Sequence, residues 1–204
     1  MVFYFITKNS MKKTLENLTK AFVGESQARN RYALYAGVAK KEGLVQISSI
    51  LLETAEQERQ HAKRFFNMLQ SVKEKEGLDI NNIDVPTTTM SRIGDTLTNL
   101  QSAAAGEYEE YSILYPEFAQ VAEDEGYPEI ATRIRAIMVA EQHHEERFKK
   151  LYEQLKAETH RNKDEEVERV CTECGYTHKG KFPPEICPSC DHPKGYYIVK
   201  CETY

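Results

Sequence analysis

The sequence predicts a mainly α protein: a four-helix bundle followed by a small metal module built on four cysteines. Three observations lead there. Four long segments place apolar residues at helical spacing. The pattern E-x-x-H-x-x-R-F occurs twice, at Glu58–Phe65 and at Glu141–Phe148. All five cysteines lie between Cys171 and Cys201, and four of them form two C-x-x-C pairs.

The first helical stripe carries Leu15, Leu18, Phe22, Tyr32, Tyr35 and Ala39, and Gly43 stands where that helix should stop. The second carries Ile47, Leu51, Thr54, Phe65, Met68 and Val72. The third carries Leu97, Leu100, Ala104, Tyr111, Leu114, Phe118 and Val121, with Gly126 as its stop. Pro128 suits the first turn of the fourth, where a missing N–H costs little; its stripe is Ile130, Ile134, Ile137, Phe148, Leu151 and Leu155. Residues 77–92 hold Gly77, Asp79, Asn81, Asn82, Asp84 and Pro86 and read as the one long connection. Short, long and short connections fit a bundle with a single crossover. Residues 156–169 are almost all polar and read as a frayed helix end and a linker. The expected organisation is an N-terminal extension at 1–10, the bundle at 11–160, the linker at 161–169 and the cysteine domain at 170–204.

The chain has 27 basic and 32 acidic residues, a net charge of −5. Without a basic stripe it carries no nucleic-acid signature. No apolar run approaches membrane-spanning length. The apolar opening Met1–Ile6 is short and no basic segment precedes it, so it makes a poor signal peptide, and Met11-Lys12-Lys13 reads as an alternative start. A cytoplasmic protein is expected, and in that compartment clustered cysteines point to a metal rather than to disulfides.

The two halves are internal repeats. Gly24-Glu25 aligns with Gly106-Glu107, an offset of 82, whereas Gly43, Ile47, Glu58 and His61 align with Gly126, Ile130, Glu141 and His144, an offset of 83. The third helix therefore holds one extra residue. Pro116 lies within it, and a proline removes a helical hydrogen bond. A π-bulge is expected near Tyr111–Pro116.

Residues three apart share a helix face, so each Glu/His pair points one way. On the stripes, Glu25 falls between Phe22 and Tyr32, Glu58 and His61 between Thr54 and Phe65, Glu107 between Ala104 and Tyr111, and Glu141 and His144 between Ile137 and Phe148. A single Glu-x-x-His is usually a solvated face, and a lone core Glu often pairs with Arg. Six such residues in register, duplicated across a repeat, are a different matter. Four buried carboxylates would each cost several kcal/mol, on the order given for unpaired buried ions. Two metal ions resolve the cost, with Glu58 and Glu141 placed to bridge. A Glu from each of two helices plus Glu-x-x-His from two others is the di-iron signature of ferritin-like bundles. Carboxylate and imidazole ligands suit iron or manganese without excluding zinc.

Glu110 lies one turn from Glu107 and is expected to face the same site, but its repeat counterpart is Ala28. Two ferrous ions are neutralised by four carboxylates, whereas two ferric ions favour a fifth. The count assigns His61 to the ferrous state and Glu110 to the ferric one. His143 should face elsewhere, and His160, His178 and His192 sit in polar, solvated contexts. Tyr32, Tyr108, Tyr111 and Tyr115 read as core aromatics, with Tyr32 and Tyr115 as candidates to hydrogen-bond the metal ligands.

Cys171-x-x-Cys174 and Cys187-x-x-Cys190 form two knuckles that supply a tetrahedral S₄ site. Spacing alone leaves structural zinc and one-electron iron both open. The neighbouring Gly175-Tyr176 and Pro188, with a redox-capable site in the same chain, favour iron. Cys201 is left over as a spare thiol.

These motifs together make the chain resemble the rubrerythrins from about Met11 onward. The resemblance rests on Gly24–Tyr32, Glu58–Arg64, Ala104–Glu107 with Glu110, and Glu141–Glu145, and in the tail on Cys171, Cys174, Gly175, Tyr176, Cys187, Pro188 and Cys190 of a rubredoxin-like domain. Asp191 stands where a standalone rubredoxin usually has Gly, and only twelve residues separate the knuckles, as in the shortened type. The resemblance implies a non-haem di-iron peroxidase that reduces hydrogen peroxide to water. It implies Glu25, Glu58, Glu107, Glu110, Glu141 and His144 as ligands, with His61 replacing Glu110 on reduction. Its cofactors would be two irons, oxo- or hydroxo-bridged when oxidised, and one iron in the Cys₄ site. Electrons would come from rubredoxin or an NAD(P)H-dependent reductase. It also implies a homodimer or higher oligomer in which the Cys₄ domain serves the neighbouring subunit. The rival expectations are a ferroxidase or iron-handling protein and a non-catalytic zinc-ribbon protein.

Overall fold

The computed structural model describes residues 12–202, so the expected extension at 1–10 lies outside the described residues. Helices α1 (Lys13–Lys41) and α2 (Val45–Lys75) form one antiparallel hairpin. The second hairpin consists of α3 (Thr96–Glu109), a π-helical turn (Glu110–Leu114), α4 (Tyr115–Asp124) and α5 (Pro128–Lys156). Residues 76–95 cross between the hairpins without helix or strand. Gly43 and Gly126 end α1 and α4 at φ +72° and +86°, a region closed to most side chains.

The repeat is visible in how the halves cap one another. In the turn after α4, the Glu125 carboxylate accepts from the backbone N–H groups of Lys13 and Thr14 at 3.0 and 2.8 Å. Glu42, its counterpart after α1, accepts from Thr96 N–H at 3.2 Å at the start of α3. Each carboxylate occupies a positive helix N-terminus, so each half closes a helix of the other.

The expected irregularity in the third helix is the π-turn at Glu110–Leu114. It absorbs the extra residue, which would otherwise rotate everything downstream by about 100°. It also shifts the apolar stripe. Tyr111 and Leu114, expected in the core, are only partly covered, and Tyr115 is buried in their stead. Tyr108, also expected inside, is 51% exposed.

The bundle core is divided in two. One apolar cluster contains Leu15, Leu18, Phe65, Leu69, Tyr115, Phe118 and Ile137. The other contains Ala28, Tyr32, Tyr35, Leu51, Leu100, Ala104 and Phe148. Glu25, Glu58, Glu107 and Glu141 lie in sequence between the two clusters on their respective helices, each at most 1% exposed.

The tail forms a three-stranded antiparallel sheet, order β2-β1-β3, from β1 (Val167–Cys171), β2 (Thr177–Gly180) and β3 (Tyr197–Val199). β1 begins within the stretch expected to be a polar linker. The reason is Arg169, 2% exposed, whose guanidinium donates to the carbonyls of Arg161 and Lys181 at 2.8 Å each and to that of Gly180. A buried arginine is stable here because loop carbonyls satisfy its donors. Three histidines expected to be solvated, His160, His178 and His192, are half-buried. The His192 ring packs on Tyr196, with centroids 4.5 Å apart. Both ring nitrogens of His160 are buried without partners, and burial together with the charges of Arg161 and Lys163 brings its pKa down to about 4.

The sheet domain docks on the α1–α2 turn. Arg161 Nη2 donates to the Gly43 carbonyl at 2.6 Å. A Cβ at Gly195, in a 3₁₀ turn (Lys194–Tyr196), would lie 2.1 Å from that same oxygen. Gly195→Ala should therefore undock the domain, costing about 1–3 kcal/mol as overpacking does. Proteolysis between Ala157 and Glu166 should accelerate while the visible spectrum of the iron-loaded cysteine site is unchanged. A digestion rate equal to wild type would refute the tight docking.

Candidate metal centres

Six predicted residues converge between the two apolar clusters. Their ligand atoms form two groups, Glu25, Glu58, His61 and Glu141, and Glu58, Glu107, Glu141 and His144, each within 4.8 Å. Glu58 and Glu141 belong to both. Each gives one oxygen to each side: His61 Nδ1 lies 2.9 Å from Glu58 Oε2 and 2.7 Å from Glu141 Oε1, while His144 Nδ1 lies 2.9 Å from Glu58 Oε1 and 2.9 Å from Glu141 Oε2. That is the disposition of two bridging carboxylates. His144 is sealed in, with its side chain 3% exposed, while that of His61 is 14% exposed.

The chemistry of the donor set fits two cations. Glu25 Oε2, Glu58 Oε1, Glu107 Oε2, both oxygens of Glu141 and His144 Nδ1 are buried without a hydrogen-bond partner. Such unsatisfied groups are costly unless an ion occupies the space between them. Without metal, the crowded charges displace the titration of Glu25, Glu58, Glu107, His61 and His144. Burial and the neighbouring Glu141 push Glu25 well above the usual carboxylate range. Burial and Glu58 raise Glu107 to about 8. Burial opposes the charge on Glu58, but the adjacent imidazoles of His144 and His61 outweigh it and hold its pKa at about 2. Burial likewise disfavours charged imidazoles, yet the carboxylates carry His61 up to about 9 and His144 to about 12.

Tyr32 and Tyr115 are repeat counterparts, and both reach across the halves. Tyr32 O–H donates to Glu107 Oε1, and Tyr115 O–H donates to Glu25 Oε1. Burial, then nearby carboxylates, pushes both phenols well above their ordinary value, so each stays a proton donor. Glu110, expected to face the same site, belongs to neither ligand group among the described residues. It is half-buried and lines a cavity of about 490 Å³ with Lys20, Gly24, Arg31, Met90 and Tyr115. Burial and Glu107 raise its pKa well above the usual range. His143 is exposed and faces away from both groups, as its position 100° round the helix requires.

The four knuckle cysteines also come together within 4.8 Å, with Cys171 and Cys190 sulfurs 3.8 Å apart and those of Cys174 and Cys187 3.7 Å apart. A tetrahedron with metal–sulfur bonds of ~2.3 Å has edges of about this length. Each knuckle closes with a like turn, Gly175 N–H to Cys171 O and Asp191 N–H to Cys187 O, both 2.9 Å. Asp191 takes φ +60° where Gly175 has +77°, so an Asp fills the left-handed position usually reserved for Gly. Cys201 is exposed and apart from the cluster.

Comparison with known proteins agrees with this arrangement. Residues 16–152 match the family described as Rubrerythrin, and residues 170–198 match the one described as Rubrerythrin, rubredoxin-like domain. The chain belongs to the rubrerythrin family. A protein called putative rubrerythrin from Methanocaldococcus jannaschii is 50% identical over 200 residues, covering 96% of each chain. Rubrerythrin-1 of Clostridium acetobutylicum is 50% identical over 94% of this chain and 96% of its own. Among solved structures, mixed-valence nigerythrin superposes with TM-score 0.61 at 31% identity, covering 98% of this chain and 92% of the other. Like its family, this rubrerythrin combines a ferritin-like di-iron site of carboxylate and histidine ligands with a four-cysteine rubredoxin-like site. No helix among the described residues is long and apolar enough to cross a membrane.

One feature of the site carries no motif. Gln57 stands behind His144, with His144 Nε2 3.0 Å from Gln57 Oε1, and Arg147, the arginine of the repeated pattern, donates to that same oxygen at 3.3 Å. Comparing repeat-related positions exposes Gln57, because it aligns with Ala140.

Proposed function

We propose that the chain is a peroxidase that reduces hydrogen peroxide to water, H₂O₂ + 2 H⁺ + 2 e⁻ → 2 H₂O, at the bundle site. The supporting observation is the double cage of Glu25, Glu58, His61, Glu107, Glu141 and His144, sharing one chain with a four-sulfur site suited to one-electron transfer. Two ferrous ions held there would supply the two electrons. Glu58 and Glu141 hold both positions together, while Glu25 with His61 and Glu107 with His144 complete one position each. Tyr32 and Tyr115 fix Glu107 and Glu25 and keep a proton beside each position. Glu110 stands at the cavity, poised to replace His61 as the fifth carboxylate of the oxidised state. The cavity beside it gives peroxide a way in.

The cysteine site returns electrons one at a time from rubredoxin or an NAD(P)H-dependent reductase. Within its own chain it docks at the α1–α2 turn, roughly 20 Å along α2 from Glu58 at 1.5 Å per residue. A homodimer that brings this domain to the neighbour's bundle gives a shorter route. The cytoplasm, where such donors reside, is the expected compartment.

The test is anaerobic titration of the fully reduced, iron-loaded protein with hydrogen peroxide. One equivalent should oxidise the bundle site, with two waters formed and no oxygen consumed. Absence of peroxide loss, with iron uptake beyond two ions per bundle under oxygen, would overturn the proposal in favour of iron handling.

A further inference from the structure

The two imidazoles occupy repeat-related positions, yet their surroundings differ on the side away from the carboxylates. Behind His144 is a closed network. Arg147 donates through Nη1 to Glu53 Oε1 at 3.0 Å, and through Nη2 to Thr54 Oγ1 and to Gln57 Oε1, the latter at 3.3 Å. Gln57 Nε2 donates to Glu53 Oε1 at 3.3 Å. The network determines its own proton positions. A guanidinium can only donate, so the atom of Gln57 facing Arg147 is the oxygen. His144 Nε2, 3.0 Å from that oxygen, must then be the N–H donor. With Nε2 protonated, the lone pair of the neutral ring is on Nδ1, the atom facing Glu58 and Glu141.

Around His61 the acceptors of this network are missing. The counterparts of Glu53, Thr54 and Gln57, at an offset of 83, are Ala136, Ile137 and Ala140. Arg64, the counterpart of Arg147, is exposed. His61 Nε2 has no hydrogen-bond partner among the described residues.

On the reading given above, in which both imidazoles are metal ligands, we infer that Gln57 is a positioning residue. Braced by Arg147 and Glu53, it locks the tautomer and orientation of His144, and the lack of such a brace at Ala140 is what leaves His61 free to move. The asymmetry of the two histidines is thus written into α2 and α5, outside the ligands themselves. Gln57 touches neither substrate nor reacting atoms and acts through His144 alone.

The inference is tested on the full-length chain. Gln57→Leu removes the acceptor, and Gln57→Glu keeps one. In nitrogen-15 NMR of the diamagnetic, zinc-loaded protein with labelled histidines, wild type should show a persistent, hydrogen-bonded Nε2–H for one buried histidine. The signal should vanish in Gln57→Leu and return in Gln57→Glu. Titration with cobalt(II), followed by its visible bands, should show one of the two bundle positions weakened about 10–100-fold in Gln57→Leu, the cost typical of losing a group that orients a ligand, and restored in Gln57→Glu. Should Gln57→Leu keep the Nε2–H signal and bind cobalt within twofold of wild type, Gln57 does not position His144. Should Gln57→Leu fail to fold, Ala140→Gln reads the same idea in reverse. It adds an acceptor behind His61 and should give a second persistent Nε2–H; no second signal would overturn the inference. None of these readouts needs peroxide turnover, so a failure of the peroxidase proposal would leave them unaltered and be recognised separately.

Discussion

Cys171→Ser should allow the pre-reduced protein one full round of peroxide reduction and then stop it. Cys171 is 1% exposed and belongs to a small core with Cys187 and Tyr197, distinct from both apolar clusters of the bundle. Its loss removes one of four sulfurs and leaves the carboxylate cage untouched. Two electrons stored at the bundle site suffice for one peroxide, so stopped-flow oxidation should match wild type. In the proposed relay, steady turnover needs the cysteine iron to pass electrons on. It should fall by at least the roughly 10–100-fold that changes around a metal's own ligands cost. The measurement is peroxide consumption with an NAD(P)H-linked donor, alongside a single-turnover trace of the same preparation. Equal steady rates in mutant and wild type would eliminate the relay.

The metal-free protein should lose stability as pH rises, the reverse of ordinary acid denaturation. Glu107 titrates at about 8 when folded, against roughly 4.3 in an unfolded chain. His61 and His144 titrate at about 9 and about 12, against roughly 6.5. In all three the folded pKa is the higher one. Each contribution is complete below the unfolded value and lost as pH climbs towards the folded one. Between pH 6 and 9 the metal-free Tm should fall by about 10 °C, a few kcal/mol for a chain of this size. Glu58, depressed to about 2, works in the opposite sense, but only below roughly pH 4.3. With cations in place of the shared protons the loaded protein escapes this loss, because metal binding releases those protons. The Tm gap between loaded and metal-free protein should widen with pH. A gap that narrows from pH 6 to 9 would show that protons do not hold the empty cage together.

Much of the bundle and its cage could be read from residue order, because helical spacing and duplication are both periodic signals. The change of offset between Glu25/Glu107 and His61/His144 placed the irregular turn correctly. Its effect on neighbours was harder to read: the extra residue moved Tyr115 into the core in place of Tyr111, a shift that a fixed 3.6-residue period does not capture. Arg169 escaped notice because a charged residue in a charged stretch looks solvated. Its burial depends on carbonyls from Arg161, Gly180 and Lys181, which only the folded chain gathers. His160 and His192 were misjudged for the same reason, since neighbours in space rather than in sequence cover them. The place of Glu110 beside a cavity, apart from the ligand groups, likewise depends on packing between helices that residue order does not carry.

The π-turn has a consequence for how the molecule meets its surroundings. The cavity is lined from both halves at once, by the counterparts Gly24 and Gly106 and by Gln27 and Glu109, so two identical halves would give it two identical sides. The turn opens with Glu110, opposite Gly24 on α1, and ends just before Tyr115, which has kept its partnership with the other half. One inserted residue thus lets a single half diverge locally while everything beyond it stays in step. The cavity therefore has two unlike walls: one carries an ionisable carboxyl at Glu110, and the matching position of the other half holds the methyl side chain of Ala28, 1% exposed.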